Sequence, residues 1–304
     1  MKDLYPILGI SKQADHQARH RYNRQQQDHD DLLRQIRDYR QEQPRIGLRK
    51  LYHILQPENI GRDRFIAMAA EAGLALRPVR CRRRTTRPAS HRHVHNLIAG
   101  HTLNNVNQVW VSDITYYRVA DTFYYLTVLM DLYSRFIVGA GVASSLHAHW
   151  SVAVLTTALA ARAIPVLPAG KLPPRPEDLP LGNRLIHHSD RGSQYLSDAY
   201  VNLLHRANAA ISTCSSVYDN AHSERLNGII KQEYLDCWAI STPHALRRGL
   251  TKAVHLYNHH RPHTSLGMRT PHAFEAYLAT TPIDEHPRMT IAQEQPSERH
   301  TAIG

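Results

Sequence analysis

Cysteine is scarce in this 304-residue sequence, with only Cys81, Cys214 and Cys237. An odd number at wide spacing, without a Cys-x-x-Cys pair, argues against a disulfide framework and against a cysteine-based zinc site. A reducing compartment is the natural setting. No stretch approaches the roughly 18 uncharged apolar residues that a membrane span needs, which excludes a transmembrane helix. The opening residues MKDLYPILGI carry Asp3 and a proline inside a short apolar stretch, and no small-residue cleavage site comes after them. A secretory signal is therefore not expected, and the chain is expected to stay in the cytoplasm.

Acid is the second scarcity. Residues 1–100 hold 20 Lys plus Arg against 10 Asp plus Glu, whereas residues 101–304 hold 17 against 16. Residues 72–112 contain no acid at all, and Arg77, Arg80, Arg82, Arg83, Arg84, Arg87 and Arg92 crowd into 16 positions. Charge blocks of this density usually serve nucleic acid, so the formal net charge of +11 points to a polyanionic partner.

At 304 residues the chain suits two or three domains. Residues 16–43 read as a polar helix that needs a partner. Residues 44–76 read as two short helices around a turn at Gln56–Gly61, with Ile46, Leu48, Leu51, Ile54 and Leu55 inward in the first and Phe65, Ile66, Met68 and Ala69 inward in the second. That is helix-turn-helix spacing, and Arg45, Arg49 and Lys50 are its candidate DNA contacts. Around residue 107 the period changes to two: Val109, Val111, Asp113, Thr115 and Tyr117 share one face of a strand, and Trp110, Ser112, Ile114 and Tyr116 the other. Two more strands complete a meander, a helix covers about 147–163, and a proline-rich loop comes next. RLIHHSD is a short strand, SDAYVNLLHRANAA a helix, ISTCSS a further strand, and the remainder is mostly helical until periodicity fades after about 285. This order gives an α/β fold, a mixed sheet with helices on its faces, behind an all-helical N-terminal region. The expected division is a helical arm (1–43), a helix-turn-helix (44–76), a basic linker (77–104), a catalytic core (105–280) and a tail (281–304).

Asp113 lies within a strand, Asp190 ends a later one, and Glu224 opens the helix SERLNGIIKQEYL. Each is ambiguous singly. A strand Asp can be merely hydrogen-bonded, and a carboxylate at a helix start suits the helix dipole. Together, three acids converging at a sheet edge repel one another unless hard divalent cations neutralise them. Two ions, Mg2+ or Mn2+, held in this way support in-line phosphoryl transfer. Asp131 and Asp219 are rival acids, read here as organising turns.

The segments PRIGLRKLYHIL, NQVWVSDITYY, HHSDRGSQY, YDNAHSE and YNHHRPHTSLGMRTPHAFE occur in this order. Through them the chain resembles insertion-sequence transposases with an Asp-Asp-Glu core, the OrfB product of the large two-reading-frame family, whose core is similar to retroviral integrase. The resemblance implies an RNase H-like fold, Asp113, Asp190 and Glu224 as the metal-binding triad, and Lys231 as a contact to terminal DNA. Seven residues is about two helical turns, which sets Lys231 on the face of Glu224. His188, Gly192, Gln194, Asn220, Arg261 and His263 also fall on family motif positions, as supports of the acids or DNA contacts. The 33 residues between Asp190 and Glu224 are slightly fewer than usual, and Arg45-Ile46-Gly47 replaces the common arginine-tyrosine-glycine.

The same resemblance implies DNA cleavage and strand transfer at element ends, by copy-out transposition, without a covalent enzyme intermediate. Partners would be double-stranded DNA of ends and target, further copies of the chain, and the upstream-frame protein, in the bacterial cytoplasm near the nucleoid. A DNA-binding regulator without catalysis and a nuclease without joining activity are the alternatives. Of the 22 histidines, His255, His259, His260 and His263 lie close together, but without paired cysteines the zinc site of retroviral integrases has no counterpart.

Overall fold

The computed structural model describes residues 9, 11–77, 96–171, 184–214 and 221–292. Arg82, Arg83, Arg84, Asp219, Asn220 and the proline-rich stretch from residue 172 lie outside the described residues. The chain divides into two compact units, Met1–Arg80 and Cys81–Gly304.

In the first unit, α1 (Lys12–Glu42) starts where the Ser11 side chain accepts the Ala14 amide and runs on because neither Pro nor Gly interrupts it. Its C-terminal half buries Ile36 against Leu51 of α2 (Leu48–Leu55) and Phe65 and Ala69 of α3 (Arg62–Glu71). The turn between α2 and α3 opens at Gln56, which adopts a left-handed φ of 43°. The expected helical pair is present. Arg45 donates to the Arg77 carbonyl (2.7 Å) and Arg40 to the Leu74 carbonyl (2.6 Å), fastening the end of the unit, while Arg49 is exposed and Lys50 half-buried.

The second unit is built on five strands, β2 (Val109–Val119), β3 (Thr122–Asp131), β4 (Ile137–Ala143), β5 (Ile186–Ser189) and β6 (Ala210–Thr213), in the order β4-β3-β2-β5-β6. The first three form the antiparallel meander, and β5 and β6 add parallel to β2. This is the RNase H-like mixed sheet. Alternation along β2 divides the core: Val109 and Val111 face α6 (Ala221–Ile229), α7 (Pro243–His260) and α8 (Pro271–Ala279), whereas Trp110 faces α4 (Ala148–Ala161) and α5 (Asp198–Arg206). Thr242 and Thr270 cap α7 and α8, each with a proline next to it at the first helical position.

Two edges of the core lie outside the expected 105–280. β1 (Thr102–Leu103) pairs antiparallel with β7 (Met289–Thr290), and Ile98 and Leu103 are buried in the core beneath α7 and α8. Residues assigned to linker and tail thus contribute to packing. Asp131, fully buried, accepts the amides of Asn107, Tyr133 and Ser134, organising the turn after β3. Ser134 passes on to Glu275, which forms a two-pronged ion pair with Arg162 at 2.7 and 2.8 Å.

Candidate active site

The parallel pairing of β2 with β5 sets the position of the first two acids. Val109, Trp110, Val111 and Ser112 stand opposite Ile186, His187, His188 and Ser189. Asp113 and Asp190 are the next residues along each chain, so the two acids stand at the same level, Asp113 within β2 and Asp190 just past the end of β5. Beyond that level β2 continues to Val119 with no strand partner on the β5 side among the described residues.

The third acid arrives on α6, which packs against β2. Glu224 sits in its first turn and is exposed, and Asn227, one turn later, is buried and donates to Asp113 Oδ2 at 2.7 Å. Sequence reasoning missed Asn227. The signal was present, since the i+3 spacing from Glu224 puts both on one helix face. Lys231 lies in a π-helical segment (Ile230–Tyr234) that prolongs α6. Its ammonium donates to the Tyr116 carbonyl (3.0 Å) on the open margin of β2 and sits 5.2 Å from the Tyr116 ring centre.

Burial pushes the Asp113 carboxyl up to about 7, helped by the charges of Asp190 and Glu224 and opposed by the Asn227 hydrogen bond. Burial likewise raises Asp190, against the hydrogen bond from the Gly192 amide. That amide lies 3.0 Å from Asp190 Oδ1, and a Cβ on Gly192 would stand 2.9 Å from the same oxygen and 3.2 Å from Gln194 Oε1. Gly192 therefore permits the loop to fold back on the acid. Gly192→Ala should displace the Asp190 carboxylate and lower turnover roughly tenfold or more with the melting temperature within a few degrees of wild type, a split that single-turnover kinetics and a thermal melt would check.

Beneath the acids runs a buried polar layer. Ser112 meets the Tyr195 hydroxyl at 2.8 Å, joining β2 to the loop that carries Asp190. His187 bonds the Tyr200 hydroxyl (2.8 Å) and is held down to about 3 by burial, so it stays neutral. His188 is also fully buried, between Ser212 (2.8 Å) and Cys214 (3.3 Å) on the β6 side. Gln194 donates to the Leu146 carbonyl at the mouth of the site. Arg261 and His263 are buried, and the Arg261 guanidinium is clamped by Glu233 at 2.8 Å on both prongs.

The donor set suits a hard divalent cation, with three carboxylates and the Asn227 side-chain oxygen, which is buried without a hydrogen-bond partner. Among the described residues no three His, Cys, Asp or Glu side chains are gathered closely enough to hold an ion as they stand. The Asp113 carboxyl is raised first by burial and then by the charges of Asp190 and Glu224, and a cation beside it would favour its ionised form.

An RNase H-like sheet with one acid within its central strand, one just past the end of the neighbouring strand and one on a later helix is the architecture of a polynucleotidyl transferase. Two family profiles described as Integrase core domain match residues 104–218 and 207–271. The transposase for insertion sequence element IS629 of Shigella sonnei is 31% identical over 252 residues, 79% of this chain and 77% of that protein. A 31 kDa protein of insertion element IS600 from the same organism is 30% identical, over 75% of this chain and 80% of its own length. Among solved structures, the HTLV-2 integrase catalytic core domain in complex with magnesium is 19% identical, with a TM-score of 0.42 over 56% of this chain and 97% of that one. The chain belongs to the insertion-sequence transposases with a DDE-type integrase core. Members of this class depend on a divalent metal and act on DNA, and no described helix is long and apolar enough to cross a membrane.

Proposed function

We propose that this chain cuts and rejoins DNA strands at the ends of its insertion sequence, using Asp113, Asp190 and Glu224 to hold two divalent cations, Mg2+ or Mn2+. The observation that carries this reading is the parallel register that sets Asp113 beside Asp190, with α6 fastened to Asp113 through Asn227. When bound, the two ions supply activation of the attacking water or DNA 3′-hydroxyl and stabilisation of the leaving 3′-oxygen. The chain's own residues prepare the ground. Asn227 orients the Asp113 carboxylate, the Gly192 amide orients Asp190, and the Ser112–Tyr195 bond keeps the two strand ends in step. Lys231 would exchange the Tyr116 carbonyl for a phosphate of the terminal DNA. Arg45, Arg49, Lys50 and the arginine run 82–84 would hold the flanking duplex. Two element ends call for at least two copies of the chain, with or without the upstream-frame protein.

The test is cleavage and joining of a labelled element end with Mg2+ or Mn2+, comparing wild type with Glu224→Gln. Joined products that disappear in the variant, with DNA binding retained, are expected. A folded, DNA-binding wild type that never cleaves would instead leave a regulator or a subunit that needs the upstream-frame protein, which repeating the assay with that frame attached decides, and cleavage without joined product would identify a nuclease.

A further inference from the structure

The near-neutral balance of residues 101–304 conceals a local excess of charge. From Cys237 to Phe274 there is no Asp or Glu, and α7 lies within this stretch. One side of α7 is sunk in the core through Leu246, Leu250, Ala253 and Leu256. The other side carries His244, Arg247, Arg248, Lys252 and His255, all exposed, and ends at the half-buried His259. These positions recur every three or four residues and form one stripe.

Local electrostatics do not account for the stripe. Cations are welcome at a helix C-terminus, but Arg247 and Arg248 occupy the N-terminal half, where the helix dipole disfavours them, and the first turn contains no acid. Solvated helix faces usually mix both signs. No acid lies within four residues to form an intrahelical pair. Of the neighbouring acids, Glu233 and Glu275 are engaged by Arg261 and Arg162, and Asp236 faces Lys231 and the Tyr117 hydroxyl. Lys252 rests 5.3 Å over the Trp238 ring, which holds its stem along the helix. From His244 to His259 the stripe runs about 22 Å, the axial rise of about six base pairs.

We propose that the outward face of α7 is a DNA-backbone binding surface of the catalytic unit, separate from the helix-turn-helix and the arginine run, and that it grips the phosphates of duplex DNA without reading sequence. The proposal rests on the reading that this chain works on DNA. It differs from that reading in predicting where cations act outside the carboxylate site.

The experiment measures binding of the full chain to a random-sequence duplex across a salt series. Arg247→Gln/Arg248→Gln is compared with Arg118→Gln/Lys171→Gln, which removes two exposed cations elsewhere in the same unit. The α7 double variant should bind roughly tenfold more weakly, and its slope of log K against log salt should fall by close to two. The distant pair should leave the slope unchanged, and Arg247→Lys/Arg248→Lys should keep it. Cleavage by the α7 variant at saturating DNA should match wild type. Equal losses in both double variants would reduce the effect to net charge and overturn the proposal. So would unchanged DNA binding together with an altered oligomeric state, which would mark α7 as a subunit contact. A wild type that binds no duplex would remove the DNA reading itself, whereas a wild type that binds and an α7 variant that binds equally well would remove only this surface.

Discussion

Asp113→Asn should abolish cleavage and joining while making the metal-free protein more stable. The two effects share one cause. The carboxylate is half-buried beside the exposed Asp190 and Glu224, and its pKa rises to about 7 from a value near 4 in an unfolded chain. The folded state therefore holds a proton that the unfolded chain gives up earlier. Below about pH 4 both states are protonated and the group costs nothing. As pH climbs toward 7 the unfolded chain ionises first, and the penalty grows to at most about 4 kcal/mol above that range. Asparagine cannot ionise, yet its side-chain oxygen can still accept the Asn227 hydrogen bond. Melts in a chelator at pH 8 should show the variant above wild type, and the gap should close as pH approaches 4. Turnover with Mg2+ should drop by at least about a thousandfold, since several kcal/mol of charge stabilisation depend on the ligand. A variant that retains activity would remove Asp113 from the metal-binding set, and one with no stability gain at pH 8 would show that solvent reaches the carboxylate.

The second large effect concerns stability alone. Arg261 is nearly inaccessible, with 6% of its side chain exposed, and both prongs of its guanidinium meet Glu233. Glu233→Gln leaves that cation buried without a counter-charge, and removing one partner of such a pair usually costs about 3 kcal/mol or more. For a unit of this size the melting temperature should fall by roughly 6–12 °C. Arg261→Met removes the buried charge itself and lets the partly exposed Glu233 rehydrate, so it should cost less. If instead the Met variant loses DNA affinity with its melting point intact, Arg261 serves the ligand rather than the fold.

Period-two alternation along β2 showed in the sequence because that strand is sandwiched between two layers of helices, and the same alternation set Asp113 on the side that α6 covers. The parallel register that brings Asp190 level with Asp113 was not readable, because a long crossover separates β2 from β5 and no local rule fixes their pairing. β1 and β7 are two residues each and too short for any periodicity. Asn227 escaped notice because its role depends on one tertiary hydrogen bond, although its distance from Glu224 was in plain view. Arg261 stood on a motif position that suggested DNA or support for the acids. Its counter-charge, the carboxylate of Glu233, comes from a separate segment that only the fold brings to it, whereas the ring of Tyr257 lies one turn earlier on α7. The basic face of α7 disappeared into a sum, since +1 over residues 101–304 averages a helix without acids against acids elsewhere.

The π-helical segment after α6 changes the phase of the chain. Each wide turn accommodates one residue more than an α-helical turn, so everything downstream is rotated by about 100° relative to an uninterrupted helix. Upstream of it, Asn227 addresses Asp113 on β2, and Glu224 lies one turn earlier. Within it, Glu233 addresses Arg261 at the far end of α7. A regular helix through this stretch would aim one of these groups correctly and the other into the wrong quadrant. The irregularity thus works as a one-residue spacer between chemistry and scaffold, and shortening the segment by a residue would leave the acids in place while turning Glu233 away from the buried cation it neutralises.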